Sequence, residues 1–317
     1  MKHIVNINHL PAILISAVMT LCGCSNENIL QPDLTSVPLN VGSLRLNAGL
    51  AARAGGTLVT TDGATIGIFL TSAGGYAPVY NKTYTCTDGK WENAAPVCVD
   101  NRTGKVLAVY DPNRLVAFAA NSTVTTNTLQ AQAYDDKKIW YYDNTTGSGV
   151  NNTNSTVAFQ MIPAYSRLKL SIKRHASNYV GNCAITDVKL QTTGNLYTGN
   201  ALDISSAALQ GNADTKAWSY NPNIASIAAG ATNTDYDVIF PPQSLSSDLT
   251  ITLTIDGMNR SVTVPAVNFG GSLKAGQQYT IELLITESAT IIFNGNISTD
   301  DYTTDGTEIK NNTPTEI

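Results

Sequence analysis

Few residues in this chain have the types and spacing that catalysis requires. His175 follows Lys173 and Arg174 and precedes Ala176, and a nucleophile–base pair would need this histidine to meet a serine and a carboxylate. The chain contains no Gly-x-Ser-x-Gly motif that would mark such a serine. We therefore interpret His175 as a solvated loop residue and expect that the chain is not an enzyme.

Metal binding has equally little support in the sequence. The adjacent carboxylates Asp135-Asp136 and Asp300-Asp301 could bind calcium weakly, but neither pair has the ligand spacing of an EF-hand loop. After position 23 the chain has one histidine, His175, and it has no Cys-x-x-Cys motif, which argues against zinc. We expect neither a metal nor a cofactor.

Cys24 has the sequence context of a lipid attachment site. Residues 10–21 are almost all apolar or small, and this run is shorter than the roughly 20 residues that span a bilayer, so it fits the apolar core of a signal peptide. The run ends in Leu21-Cys22-Gly23-Cys24, which resembles the lipobox of bacterial lipoproteins. The resemblance implies that residues 1–23 are a signal peptide, cleaved between Gly23 and Cys24, and that Cys24 carries fatty acyl chains such as palmitate.

The residues after Cys24 predict a tethered protein at the cell surface. Residues 24–40 are mostly polar and include two prolines, which favours a flexible tether. Ser25 resembles the outer-membrane sorting class of lipoproteins. No later apolar run is long enough to cross a membrane, so we expect the lipid to be the only anchor, in the outer membrane.

Three cysteines remain in the mature chain. Cys86 and Cys98 could pair in an oxidising compartment and close a short loop. The alternative is that Cys86, Cys98 and Cys183 are all unpaired, half-buried thiols. Both interpretations remain open, because Cys183 lacks a partner in either case.

Composition restricts the class of protein. The mature chain of 317 − 23 = 294 residues is long enough for two domains. A net charge of −5 with 14% charged residues argues against a nucleic-acid partner, and 43% hydrophobic residues argue against disorder. The frequent Thr, Ser, Asn and Gly are typical of an extracellular β-protein.

Short strands separated by turn residues predict an all-β fold. Leu44, Leu46, Ala48 and Leu50 alternate with polar or small residues, as in a half-buried strand. Asp88-Gly89 favours a hairpin turn. Further strands are predicted at 66–70, 106–110, 168–172, 183–191, 236–240, 249–255, 261–264, 279–285 and 291–293. This spacing favours β-sandwiches.

Three further segments have distinctive compositions. Residues 143–155 are rich in Asn, Thr and Gly and predict a long exposed loop, whereas residues 205–210 could form a single helical turn. The aromatic cluster Trp140, Tyr141 and Tyr142 could stack on a sugar or pack in the interior.

Short segments in order along nearly the whole mature chain resemble one known family. Residues 62–69 are similar to its Gly-x-x-Ile-Gly-Val-Tyr strand, and residues 80–91 to its Tyr-x-Asn … Gly-x-Trp hairpin. Further similar segments are 109–112, 162–168, 240–243 and 273–279. Together they resemble the fimbrillin-like family of Bacteroidales-type lipoproteins, which build type V pili. The tail departs from the family, whose last strand is often followed by tryptophan.

The resemblance implies a fold and an assembly mechanism. The fold is two tandem transthyretin-like β-sandwiches, which we place at residues 41–162 and 163–317, with the boundary near Pro163. In the mechanism, an arginine-specific surface protease removes the first strand and a strand from another pilin subunit fills the groove. Head-to-tail donation gives a filament, built from one or several kinds of subunit.

Specific residues are expected to serve this mechanism. Arg53 lies in an Ala-Arg-Ala-Gly-Gly context after the first strand, so we predict cleavage between Arg53 and Ala54. Arg45 is a competing site, but it lies within the predicted strand, where backbone hydrogen bonds would have to break first. The other alternative is that Arg53 is an ordinary exposed loop residue. Ile291, Phe293 and Ile297 alternate as a donor strand would. They could equally belong to the final strand of the second domain.

The subunit's role within a fimbria is left open by the sequence. Stalk, tip and anchor positions are all compatible with it, and adhesion implies a host or bacterial receptor as a further partner. The alternative function is a surface-exposed glycan-binding outer-membrane lipoprotein with Trp140, Tyr141 and Tyr142 as its platform.

Overall fold

A computed structural model of the chain describes residues 35–47, 56–113, 118, 121–125, 129–176, 179–210, 217–286 and 288–301. Within these ranges there are twenty-five β-strands and three short 3-10 helices, and the helices span Ala73–Gly75, Asp136–Lys138 and Ala266–Phe269. The prediction of an all-β fold is confirmed.

The strands up to position 163 are β1 (Val37–Pro38), β2 (Asn40–Leu46), β3 (Thr57–Leu58), β4 (Thr65–Leu70), β5 (Val79–Thr87), β6 (Lys90–Glu92), β7 (Cys98–Val99), β8 (Gly104–Tyr110), β9 (Leu129–Gln130), β10 (Gln132–Ala133), β11 (Tyr141–Asp143), β12 (Ser148–Val150) and β13 (Thr156–Pro163). The later strands are β14 (Ser166–Arg174), β15 (Ile185–Thr192), β16 (Gly199–Asp203), β17 (Ala208–Gln210), β18 (Ala217–Tyr220), β19 (Thr232–Phe240), β20 (Gln243–Ser244), β21 (Leu249–Ile255), β22 (Met258–Val264), β23 (Ser272–Leu273), β24 (Gln277–Ile285) and β25 (Ile291–Asp301).

Local sequence explains many of these strands and their turns. In β21 the sequence LTITLTI alternates buried leucine and isoleucine with half-buried threonine, so one face packs inward and the other outward. Asp88 and Gly89 adopt φ of 50° and 73° and join β5 to β6, which confirms the predicted hairpin. Positive φ at both positions matches the right-handed twist of the flanking strands.

The strands of the first half form a closed circuit. The order is β11–β13–β2–β6–β5–β4–β8, and β8 pairs again with β11. All neighbours in the circuit are antiparallel except β13 and β2, which run parallel. Every strand of the circuit has a neighbour on each side, so among the described strands of this circuit none is an edge strand, and the sheet encloses a core of its own.

The second half packs two sheets around a separate core. One has the order β10–β19–β14–β24–β25, and the other has the order β18–β15–β21–β22. The core between them contains inward-facing residues from both sheets, among them Leu170, Tyr236, Ile251, Leu253 and Ile281. This arrangement is a β-sandwich.

Residues 129–133, from the first half of the chain, pair with strands of the second half. β9 pairs with β16, and β10 pairs with β19, although both segments come from the first half of the chain. In return, Leu202, Ile204 and Ile239 are buried in the first core. β13 ends at Pro163 and β14 begins at Ser166; the bounds 41–162 and 163–317 stay a prediction.

Two local predictions were wrong. Within residues 143–155, Asp143 and Val150 are buried, and β12 pairs with β8, so the segment is not simply an exposed loop. The carboxylate of Asp143 accepts hydrogen bonds from the backbone N–H groups of Thr145 and Gln160, which lets a polar sequence pack. Residues 208–210 form β17 and pair with β16 across a turn, instead of forming a helical turn.

Candidate functional site

The aromatic cluster at positions 140–142 belongs to the core. Trp140, Tyr141 and Tyr142 are 1%, 3% and 2% exposed. Trp140 packs edge-on against Phe118 at 5.8 Å between ring centroids, and burial raises the pKa of Tyr142 to about 12. Since buried rings cannot meet a sugar at the surface, the hypothesis that this cluster is a glycan platform was wrong.

β2 lies between two neighbours that hold it unequally. It pairs in parallel with β13 through six residue pairs, from Thr156 opposite Asn40 to Met161 opposite Leu46. On its other side it meets β6 through a single pair, Val41 opposite Trp91. β3 adds two pairs on this side, at Arg45 and Leu46, so β2 makes six residue pairs along the β13 edge and three along the other.

The side chains of β2 and the residue before it fill the first core. Leu39, Val41 and Leu44 are 2%, 3% and 0% exposed. Val41 and Leu44 can both point inward, although they are three positions apart, because the register with β13 shifts beside Gly42. A Cβ atom at Gly42 would lie 2.9 Å from Cγ2 of Thr156, so glycine allows this close approach.

The structure does not describe residues 48–55, and after them the chain lies beside β2. β3 pairs antiparallel with β2, with Arg45 opposite Leu58. The guanidinium of Arg45 donates a hydrogen bond to the carbonyl of Gly56 at 3.0 Å, and Asn47 donates from its side chain to Gln160 at 3.0 Å. These contacts hold both ends of the β2–β3 connection, residues 47–56.

Several predicted site residues lie outside the described residues. They are Gly23 and Cys24, at the predicted signal cleavage and lipidation site, and Arg53 and Ala54, at the predicted maturation cleavage. Arg45, the competing arginine, lies inside β2, paired with Gln160 of β13 on one side. The predictions for Cys24 and Arg53 therefore stay predictions.

The candidate donor residues lie in the last described strand. β25 pairs antiparallel with β24, with Ile291 opposite Ile285, Phe293 opposite Leu283 and Ile297 opposite Ile281. Ile291 is buried, whereas Phe293 and Ile297 are partly buried against the second core. In this monomer they occupy the position of a final sandwich strand, and β25 is an edge of its sheet.

The cysteines and the remaining polar candidates have structural positions. Cys86 is buried in β5 and Cys98 is half-buried in β7, and the described structure contains both as thiols, without a disulfide between them; their pairing stays a prediction. Burial raises the pKa of Cys183 to about 11, which keeps this thiol protonated. The backbone N–H of His175 donates to the carbonyl of Ile285 at 2.9 Å.

The acidic pairs do not form a recognisable metal site. Asp135 accepts a hydrogen bond from the backbone of Lys137 and caps a 3-10 helix. Within the described ranges, no group of three or more His, Cys, Asp or Glu residues is arranged to hold a metal ion. The same ranges include no helix with the length and apolarity of a membrane span.

One polar cluster was missed by sequence reasoning. Arg102 makes a salt bridge with Asp100 at 2.6 Å, and Tyr76 OH donates to the carbonyl of Arg102 at 2.8 Å. The hydrogen bonds from Arg102 lower the pKa of Asp100 to about 2. Tyr76 lies 24 positions before Asp100, so no short sequence motif marks the cluster. Its hydrogen bonds hold the loop around Tyr76 against the loop around Asp100.

Comparisons with known proteins agree with this architecture. A fimbrial protein from Bacteroides vulgatus has 15% identity and a TM-score of 0.52, with 82% of this chain and 99% of that chain covered. A candidate cell adhesion protein from Bacteroides ovatus has 15% identity, a TM-score of 0.52 and coverages of 84% and 98%. Another from Bacteroides uniformis has 16% identity, a TM-score of 0.50 and coverages of 82% and 98%.

These structural similarities concern the fold. No curated protein sequence matches the chain. The sequence profile of the family described as fimbrillin-like, however, matches residues 52–299, which is most of the chain. The chain therefore belongs to the fimbrillin-like family.

Proposed function

We propose that the chain is a structural subunit of a cell-surface fimbria that mediates adhesion and is assembled by proteolysis-triggered strand exchange. The observation that carries this proposal is the position of β2. Its apolar side chains Val41 and Leu44 fill the core, while only one residue pair joins its backbone to β6. A strand of this kind is both needed by the fold and replaceable by another strand.

The proposed first step is cleavage after Arg53. The cut separates β2 from β3 and leaves residues 24–53 attached only by non-covalent contacts. Departure of β2 would leave a groove between β13 and β6, lined by the apolar contacts of Leu39, Val41 and Leu44. An exposed groove with unpaired backbone groups on both sides binds an extended strand strongly.

The proposed second step is insertion of a strand from another subunit. Ile291, Phe293 and Ile297 are the candidate donor residues, and β25 is an edge strand with one neighbour in its sheet. Because the donor and the groove lie on different surfaces, the contact does not close on itself and gives a filament. Subunits of the same or another kind can supply the strand.

The precursor is proposed to reach the outer membrane as a lipoprotein. Cys24 would carry the lipid. The end of the predicted tether, residues 24–40, is part of the fold, because β1 lies within it, Leu39 is buried and β2 begins at Asn40. An arginine-specific protease at the surface would then release the subunit from its own anchor as it opens the groove. Cleavage would thus remove the covalent link to the anchor, and the subunit would detach when β2 departs.

An Arg53→Lys variant tests the cleavage step. Lysine keeps the charge but is a poor substrate for an arginine-specific protease, so we expect an uncut, lipidated precursor and no surface filaments by immunoelectron microscopy. In the wild type, N-terminal sequencing of filaments should begin at Ala54. Filaments that begin at Cys24, or at Leu46 after cleavage at Arg45, would contradict the assignment.

A further inference from the structure

A cleft lies beside the hairpin β16–β17 and has no role in the strand-exchange scheme. Its volume is about 690 Å³, and the short ladder β20–β23 forms another wall. None of its lining residues lies in β2 or β25. Among the residues that line it are Asn195, Tyr197, Leu209, Ser244, Ser272 and Lys274.

The walls of the cleft are fixed by buried side chains. Gln243, 7% exposed, accepts a hydrogen bond from the backbone N–H of Tyr197 at 2.7 Å and donates to its carbonyl at 2.9 Å. Tyr279 OH donates to the carbonyl of Ser272 at 3.0 Å and accepts from the N–H of Lys274 at 3.0 Å. The cleft is therefore formed before any ligand arrives, which reduces the entropy lost on binding.

The cleft offers polar groups that the protein does not use. Among the described residues, the side-chain amide of Asn195 and the hydroxyls of Ser244 and Ser272 have no hydrogen-bond partner, although all three line the cleft. Amides and hydroxyls both donate and accept hydrogen bonds, as sugar hydroxyls do. Tyr197 and Leu209 add apolar surface of the kind that packs on the C–H face of a sugar ring.

The charge in the cleft is positive. Among the described residues that line it, Lys274 is the only charged one, and it is exposed. The whole chain carries a net charge of −5, so this is a local exception to an acidic protein. An ammonium group forms its strongest hydrogen bonds with anionic acceptors such as a carboxylate.

We propose that this cleft binds a carbohydrate that carries a carboxylate group. The sugar ring packs against Tyr197 and Leu209, its hydroxyls pair with the unused amide and hydroxyl groups, and its carboxylate contacts Lys274. The proposal does not depend on strand exchange, because all the residues given above as lining the cleft lie between positions 195 and 274, outside β2 and β25. It also places carbohydrate recognition away from Trp140, where the sequence had suggested it.

Calorimetric titration of the full mature chain with 3′-sialyllactose and with lactose tests this assignment. The two probes differ only by the sugar that bears the carboxylate, and we expect 3′-sialyllactose to bind about tenfold more tightly. Lys274→Gln should abolish this difference. Ala208→Trp should fill the cleft and abolish binding of both probes, because Ala208 is exposed and lines it.

Lys189→Gln is the matched control. It changes the net charge equally but lies in β15, outside the cleft, and it should bind both probes like the wild type. No binding of 3′-sialyllactose, equal binding of the two probes, or equal losses in Lys274→Gln and Lys189→Gln would each overturn the proposal. Should Ala208→Trp fail to fold, titration of Lys274→Gln with the two probes still tests the proposal, because Lys274 is exposed and its substitution leaves the core unchanged. If Lys274→Gln bound both probes like the wild type but no longer formed filaments, carbohydrate binding at Lys274 would be rejected. Lys274 would then contact another subunit.

Discussion

Leu44 is the residue through which β2 contributes most clearly to the stability of the uncut chain. Its side chain is 0% exposed, so Leu44→Ala removes apolar contacts and leaves a cavity, at a cost of about 2–5 kcal/mol. Urea unfolding of the uncut chain measures this loss. Leu58→Ala is the matched control, because Leu58 lies in the adjacent β3 and is 44% exposed; a similar loss in both variants would contradict the anchoring role of Leu44.

Asp100 makes the stability of the fold depend on pH. Hydrogen bonds from Arg102 lower its pKa from 3.8 to about 2, so the ionised carboxylate stabilises the fold above pH 4. This contribution is lost as the pH falls from about 4 to about 2. Because the Arg102 side chain is 39% exposed, screening limits the effect to about 1 kcal/mol.

The Asp100→Asn variant isolates that contribution. The difference in free energy of unfolding between wild type and Asp100→Asn should be largest at pH 6 and should shrink towards pH 2. Arg102→Gln should flatten the same pH dependence, since it removes the group that lowers the pKa. A constant difference between pH 6 and pH 2 would show that the salt bridge with Arg102 does not control this carboxylate.

Cys24 can be tested independently of the fold. Cys24→Ala should abolish incorporation of a labelled palmitate analogue and remove the protein from the outer-membrane fraction, because the lipid is the only anchor that the sequence predicts. Cys22→Ala is the control, as Cys22 lies in the predicted signal peptide. Continued labelling of Cys24→Ala would disprove the lipid assignment.

At the level of single elements, β25 separates two interpretations of the candidate donor residues. Ile291, Phe293 and Ile297 pack against the second core, and burying one such side chain contributes about 1.5–3 kcal/mol. Truncation after Glu287 should therefore destabilise the isolated monomer by several kcal/mol in urea unfolding. A truncated chain that melts cooperatively near the wild-type temperature, reaches the surface and fails only to insert a strand into the next subunit would instead identify β25 as a donor strand.

The sequence predicted elements better than their arrangement. Alternation and an Asp-Gly pair act locally, so β21 and the β5–β6 hairpin followed from a few residues. Closure of the first sheet depends on pairings between distant segments, such as β2 with β13, which leave no local pattern. Trp140 was ambiguous for a similar reason: a strand buried on both faces and an exposed aromatic platform can have the same composition.

The candidate site was predicted only in part. The alternation of Leu44 with polar neighbours indicated a half-buried first strand, but the inward position of Val41 depends on a register shift at Gly42. The hydrogen bonds between the side chain of Gln243 and the backbone of Tyr197 join residues 46 positions apart. Sequence patterns of short period cannot contain such contacts.

At the scale of the whole molecule, the precursor and the assembled subunit are predicted to have different cores. The precursor completes its first sheet with its own β2, whereas the assembled subunit completes it with a strand from a neighbour. The native fold of the precursor is then protected against pairing with other chains, because no described strand of the closed circuit is an edge strand. Proteolysis determines when the edge is exposed.

The uneven fastening of β2 also bears on how quickly one strand could replace another. On the β6 side, one residue pair joins β2 to β6 and two join it to β3. After cleavage, an incoming strand could therefore begin to pair with β6 while β2 is still held by its six pairs with β13. Each backbone hydrogen bond to the incoming strand could then form as a hydrogen bond to β2 breaks. The apolar groove would not be exposed to water at any stage. Exchange by such stepwise displacement has a lower barrier than complete release followed by capture.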